Sequence, residues 1–178
     1  MSTITRLNFD IKSDLMMTVR RDYPLANKNL ATPTDAAFLV DGEWMTLDSN
    51  GKLIRACNIA SAGNLASARS FPLWMERGRS DVLSMAERKM TVIQGGVYEA
   101  TTRIFDATAA VGGANVAGAA ITAVMQPLKV ASVTIGSKIV SGIVGHGGRL
   151  LDNSEIVGFV LELPSASNGQ QLKFVSGY

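Results

Sequence analysis

Cysteine and histidine are almost absent from the sequence, which has one of each, Cys57 and His146. A single cysteine excludes a disulfide within the chain and any zinc site built from several cysteines. A single histidine excludes metal sites that need two or three imidazole ligands. No nucleotide-binding or nucleophile motif is present either. We therefore expect no catalytic residues, no metal and no cofactor.

Charged and aromatic residues are also scarce, at 18% and 6% of 178 residues, whereas hydrophobic residues make up 47%. That hydrophobic fraction excludes a disordered chain, because it allows enough burial to offset the loss of chain entropy. The 17 basic and 15 acidic residues are mixed along the whole sequence. Nucleic-acid binding requires a concentrated basic patch, so we expect no nucleic-acid partner.

One uncharged stretch, residues 107–128, is long enough to span a bilayer. It contains several glycines together with Asn115, Gln126 and Pro127, and it has few large aliphatic side chains, so its hydrophobic drive is weak. The first residues also lack the basic segment and apolar run of a secretory signal. We expect no membrane partner.

Short apolar segments separated by glycine-rich turns recur roughly every ten residues from residue 36 onward. The pairs Asp41-Gly42 and Asn50-Gly51 favour tight turns because both need positive φ angles, and Gly95-Gly96 indicates a further turn. This pattern predicts an all-β domain of β-barrel, tulip-like or sandwich architecture. The predicted strands cover residues 38–40, 43–47, 52–56, 71–75, 90–94, 97–105, 120–125, 129–135, 138–144, 155–163 and 171–175.

The chain divides into two parts on this basis. Residues 1–35 contain two prolines near their end and are predicted to form an extended N-terminal arm. Residues 36–178 are predicted to form the β domain, with a loop and short-helix insertion at 57–89. The one plausible helix covers residues 80–89, with Ser80 as its N-terminal cap.

The arm is the candidate partner-binding segment because it is rich in apolar residues with no obvious place in a single compact sheet. It can add a strand to its own domain, or it can add a strand or an apolar anchor to a neighbouring subunit. The predicted contact residues are Ile4, Leu7, Phe9, Ile11, Leu15, Met16, Met17 and Val19.

Other chemically notable residues have ordinary structural interpretations. His146 lies among glycines and is interpreted as an exposed turn residue, and Cys57 as a small buried side chain. The two tryptophans, Trp44 and Trp74, are more typical of a core than of an interface. Two carboxylate pairs are interpreted as turn residues: Asp41 with Glu43, and Asp152 with Glu155.

Two stretches of the sequence carry a resemblance to a known family. The first is residues 38–48, followed by Gly51-Lys52. The second is residues 156–162 together with the closing residues 172–175. On these motifs the chain resembles the small β-rich head decoration, or cement, proteins of tailed bacteriophages, over about residues 36–178. The long arm and the 57–89 insertion depart from the family pattern.

The resemblance implies a structural protein without catalytic residues. Such a protein binds the major capsid protein lattice on the outer surface of the virion as a homo-trimer or homo-dimer. It stabilises the shell by bridging capsomers, and it is made in the host cytoplasm. A phage tail, fibre or baseplate component is an alternative function. A β-barrel hydrolase or carbohydrate-binding module that uses His146 or a carboxylate pair is a third.

Overall fold

The structure is a computed structural model that describes residues 9–27, 39–57, 69–74, 89–108, 118–135, 138–146 and 156–176. Regular structure in these residues consists of β-strands. The strands are β1 (Phe9–Pro24), β2 (Trp44–Leu47), β3 (Leu53–Arg55), β4 (Phe71–Pro72), β5 (Lys89–Thr102), β6 (Gly118–Ala119), β7 (Pro127–Ile135), β8 (Lys138–His146), β9 (Gly158–Glu162) and β10 (Leu172–Ser176).

The strands form two antiparallel sheets. Seven strands make the larger sheet, in the order β1-β5-β10-β9-β7-β8-β6, and three strands make the smaller sheet, in the order β3-β2-β4. The all-β prediction is confirmed. Both sheets are open in the described residues rather than closed into a single barrel.

Isolated bridges connect the two sheets. Leu73, just after β4, bridges Val92 of β5, and Leu25, just after β1, bridges Leu53 of β3. Segments of β1, β5, β4, β2 and β3 therefore surround one apolar cluster. That cluster contains Leu25, Leu39, Met45, Leu53, Phe71, Leu73, Met90 and Val92.

The other half of β5 belongs to the main core. Alternate residues of β10, Leu172 and Phe174, are fully buried there, which is the period expected for a strand with one face against a core. β8 is buried on both faces, because Ile143 packs in this main core while Val140 and Val144 pack in a third cluster. The larger sheet therefore has its most enclosed strand close to the edge opposite β1.

The Asn50-Gly51 turn is confirmed. It joins β2 to β3, Gly51 has a φ of 70°, and Asp48 closes the turn by accepting the backbone N–H groups of Asn50 and Lys52. Gly42 also has a positive φ, 81°, and a Cβ there would lie 2.4 Å from Phe9 Cβ.

Three sequence-based strand boundaries are wrong. Residues 39 and 40, which were predicted to begin the small sheet, lie outside any strand. The strand that pairs with β2 on the side opposite β3 is β4 instead. Gly95 and Gly96 do not end a strand: β5 runs through them, paired with β1 on both sides of the glycines, and Gly96 takes a φ of 97°. Residues 120–125 form a loop rather than a strand.

The 120–125 loop has a clear local cause. The side chain of Gln126 accepts the N–H groups of Thr122 and Ala123 and donates to the carbonyl of Ala120. Met125 adopts a φ of 64°, and its N–H donates to Val160 O at 2.7 Å. Hydrogen bonds to the Gln126 side chain thus take the place of the backbone hydrogen bonds that a neighbouring strand would make with this segment.

The remaining predicted strands are found with small shifts in their ends, as β7, β8, β9 and β10. The predicted helix at 80–89 lies outside the described residues except for Lys89, which begins β5. Most of the 57–89 insertion also lies outside them; within it, residues 69–74 contribute β4. Among the described residues, no helix is long and apolar enough to cross a membrane.

Candidate interaction surface

The predicted arm contributes β1, which forms one edge of the larger sheet. β1 pairs antiparallel with β5 from Phe9, opposite Thr102, to Pro24, opposite Lys89. The segment therefore adds a strand to its own domain, which is the first of the two arrangements that the sequence left open. An edge strand keeps unpaired N–H and C=O groups along its outer side, so it is also a template for pairing with another chain.

The two ends of β1 are anchored in apolar cores. Phe9 is 2% exposed and its ring meets those of Trp74 and Tyr98 edge-on, each at 6.4 Å between centroids. Leu25, directly after β1, is also 2% exposed and packs in the cluster enclosed by the small sheet. Phe9 is thus a core residue and is not available to a partner, contrary to its assignment as a contact residue.

The middle of β1 is exposed. Leu15, Met17 and Val19, here called the β1 apolar row, are 53%, 87% and 42% exposed. Ile11 is half-buried against the main core. Ile4 and Leu7 lie outside the described residues, and for Met16 the structure gives only its backbone pairing with Val97.

Register irregularities explain why the row faces outward. The pairing of β1 with β5 shifts between Ile11 and Ser13, between Asp14 and Met16, and again on either side of Val19. Each extra residue interrupts the alternation of the strand and turns the following side chains. The β1 apolar row lies within this irregular stretch, whereas the regular stretch at residues 20–24 leads into the small-sheet core.

Charged side chains flank the row on both sides. Lys12 forms an exposed ion pair with Asp10 at 2.7 Å, and Asp14 accepts the hydroxyl of Thr18 at 3.1 Å. Beyond the row, the Arg20 guanidinium lies 4.5 Å from the centre of the Trp74 ring, a cation–π contact. The outer side of β1 therefore combines apolar side chains with charges of both signs.

Other exposed apolar side chains lie on the opposite part of the larger sheet. Val124 and Met125, in the loop that Gln126 organises, are 56% and 61% exposed, near the partly exposed Phe159 of β9. Ile135 and Ile139 lie at facing ends of β7 and β8. Single exposed apolar residues are ordinary on protein surfaces. None of these residues lies on an edge strand, whereas the β1 apolar row does.

Glu43 was interpreted from the sequence as a turn residue, and the structure shows otherwise. Its side chain is fully buried and forms an ion pair with Arg55. Its two carboxylate oxygens accept the N–H of Ser141 in β8 at 3.1 Å and the N–H of Val40 at 3.2 Å. Glu43 therefore joins the small sheet to β8. The sequence signal is its position next to Trp44 at the start of an apolar strand.

Of the residues weighed for catalysis, Asp152 and Glu155 lie outside the described residues. His146 is 7% exposed at the end of β8, so its interpretation as an exposed turn residue is wrong. Cys57 is half-buried, and its N–H donates to Ser141 Oγ at 2.6 Å. Trp44 is a core residue, as expected, and Trp74 is half-buried. No group of three His, Cys, Asp or Glu side chains able to hold a metal occurs in the part of the chain that the structure describes.

A small cavity lies beside Trp44 and Tyr98, with a volume of about 40 Å³. Gln94 and Ser176 supply polar groups to its lining. This volume accommodates about one water molecule and is far smaller than the ~300–1,000 Å³ of typical ligand pockets. The cavity therefore offers no place for an organic substrate.

Comparison with known proteins does not add to these observations. The chain was compared with protein-family models, with curated proteins and with solved structures, and no match was found in any of the three.

Proposed function

We propose that this chain is a structural protein of a tailed-phage virion that binds the outer surface of the assembled capsid and stabilises it by bridging capsomers. The observation that carries the proposal is the β1 apolar row, displayed on a long edge strand whose two ends are fixed in the core. The cement-protein resemblance of residues 38–48, 156–162 and 172–175 supplies the class of partner.

The surface has the properties that lattice binding requires. An edge strand offers main-chain hydrogen bonds for affinity, and its exposed side chains provide specificity. Because β1 is anchored at Phe9 and Leu25, its exposed middle is presented in a fixed position, which lowers the ordering cost of binding. An oligomer that contacts several lattice positions converts weak single contacts into tight attachment.

The place of β1 in the sheet determines which variants can test this function. Deletion of residues 2–20, the direct test of a separate arm, would remove Phe9 and most of a strand that pairs with β5. That deletion would damage the fold itself. A single exposed substitution, Met17→Lys, leaves the core intact and places a charge in the β1 apolar row. Met125→Lys is a matched control at an exposed methionine on another surface.

The test is co-sedimentation of each purified variant with capsids that lack this protein, followed by electron microscopy of the particles. We expect the wild type and Met125→Lys to decorate the head, and Met17→Lys to lose attachment by about tenfold or more while its melting temperature is unchanged. Equal attachment by Met17→Lys would contradict the role of β1. Density for the protein on tails rather than heads would support the tail, fibre or baseplate alternative.

A further inference from the structure

The middle of β1 contains more residues than the stretch of β5 with which it pairs. Two facing pairs bound this stretch, Asp14 with Tyr98 and Val19 with Gly95. Between them β1 has four residues, 15–18, whereas β5 has only two. The excess backbone bulges out of the strand pairing. Residues 15–18, here called the β1 bulge, carry two of the three side chains of the β1 apolar row.

A single carboxylate closes the β1 bulge at its base. Oδ2 of Asp14 accepts the hydroxyl of Thr18 at 3.1 Å and the N–H of Thr18 at 3.4 Å. These hydrogen bonds join the residue before the bulge to the last residue within it, four positions further along the chain. Side chains of Asp and Thr organise irregular backbone through local bonds of this kind. The bonds span Leu15 and Met17, the two exposed apolar side chains of the bulge.

We propose that Asp14 is the positioning residue of the β1 apolar row, because its carboxylate holds the β1 bulge in the shape that displays Leu15 and Met17. Neither of these two residues has a facing partner in β5 in the pairing that the structure describes. The Asp14 contact therefore supplies order that the sheet does not. A surface that is ordered before binding loses less conformational freedom when it binds, so it binds more tightly.

This inference rests on the proposed function for its effect on capsid binding, but the shape of the β1 bulge is a property of the chain alone. The two claims are therefore tested separately, first on the purified chain and then with capsids. A chain that keeps its bulge closed through Asp14 and does not bind capsids would contradict the proposed function only.

The small sheet provides a matched control. Asp48 also accepts the N–H of a residue four positions further along, Lys52, at 2.8 Å. It thereby holds the turn at Asn50-Gly51, which carries no exposed apolar row. Asp48→Ala thus removes a carboxylate that orders local backbone in the same way as Asp14 does, but away from β1.

Amide exchange of the Thr18 N–H, measured by NMR on the purified chain, tests the shape of the bulge. Asp14→Ala removes the acceptor, and we expect it to speed this exchange by about threefold to tenfold relative to the wild type. Asp14→Asn keeps an acceptor oxygen and should retain most of the protection. Asp48→Ala should leave the Thr18 rate unchanged. An unchanged Thr18 rate in Asp14→Ala would overturn the proposal, whether or not the chain binds capsids.

Co-sedimentation with capsids that lack this protein tests the effect on binding. We expect Asp14→Ala to weaken attachment by about threefold to tenfold, and Asp14→Asn and Asp48→Ala to attach like the wild type. Full attachment by Asp14→Ala would overturn the positioning role. A loss by Asp14→Asn as large as that by Asp14→Ala would also overturn it, because the charge itself would then contact the shell.

A double variant shows whether Asp14 acts through its neighbour in the bulge. In a Met17→Ala background the side chain that Asp14 positions is absent, so adding Asp14→Ala should weaken attachment less than it does in the wild-type background. Losses that add in full would assign Asp14 to an independent contact with the shell and contradict the positioning role.

Discussion

β1 and β8 are both long strands of the same sheet, yet their environments are opposite. Residues 140–146 of β8 are all buried, whereas the middle of β1 carries Leu15, Met17 and Val19 in solvent. The difference follows from position. β8 lies between β7 and β6 and has apolar clusters on both faces, while β1 has a single neighbour, β5.

The comparison shows that apolar content alone does not define a core. A strand that has neighbouring strands on both sides and packed layers on both faces buries its apolar side chains in the interior. An edge strand with an irregular register retains apolar side chains that no intrachain packing uses. Substitutions in β8 should therefore change stability, and substitutions in the β1 apolar row should change association.

The largest effect is expected where the small sheet is tied to β8. Glu43→Ala removes the acceptor of the Ser141 and Val40 N–H groups and leaves Arg55 without its buried partner. Breaking such a buried pair costs about 3–5 kcal/mol. We expect that loss in the free energy of unfolding measured with urea. Glu43→Gln, which keeps a side-chain acceptor, should lose less, and an Ala variant within about 0.5 kcal/mol of the wild type would refute the role of Glu43.

A matched pair of truncations, one in β8 and one in β1, tests directly whether the two strands differ in burial. Ile143→Ala in β8 removes a fully buried side chain and should lower the free energy of unfolding by about 2–5 kcal/mol. Met17→Ala in β1 removes an 87% exposed side chain and should change it by less than about 0.5 kcal/mol in dilute solution. Similar losses for the two variants would show that β1 is as enclosed as β8.

A pH-dependent effect is expected at Tyr98, on the part of β5 that faces Phe9. Burial raises the pKa of Tyr98 to about 12, against a smaller lowering by its hydrogen bond with Ser176. The unfolded chain ionises this group near pH 10, so stability is complete below that pH and falls by roughly 3 kcal/mol as the pH rises toward 12. Urea unfolding from pH 9 to 12 should show this slope. A Tyr98→Phe variant with an equally steep decline would contradict the assignment.

Much of the fold follows from the sequence, because the deciding interactions are local. Asn50-Gly51 specifies its turn through a positive φ and the Asp48 side chain. The strands that became β7 to β10 are apolar runs bounded by glycine, proline or serine. The exposed Leu15, Met17 and Val19 are among the eight contact residues that the sequence predicted, but the same argument also named Phe9, which is buried.

The rest depends on distant contacts. Gly95-Gly96 has the composition of a turn, but β1 pairs across it and keeps β5 continuous. Residues 120–125 have the composition of a strand, but the Gln126 side chain accepts the N–H groups of Thr122 and Ala123 and so holds this segment in a loop. Glu43 has the composition of a turn residue, and only the approach of Ser141, far along the chain, makes it a buried acceptor.

Hydrogen–deuterium exchange of the chain alone and of the chain bound to capsids tests the central claim most directly, that the exposed middle of β1 is an association surface. Adding capsids that lack this protein to the wild-type chain should slow exchange in a peptide covering residues 12–22, while a peptide covering residues 138–146 should be unchanged. The same experiment on Met17→Lys should show no effect of the capsids in either peptide. Equal exchange of residues 12–22 in the wild type with and without capsids would contradict the claim.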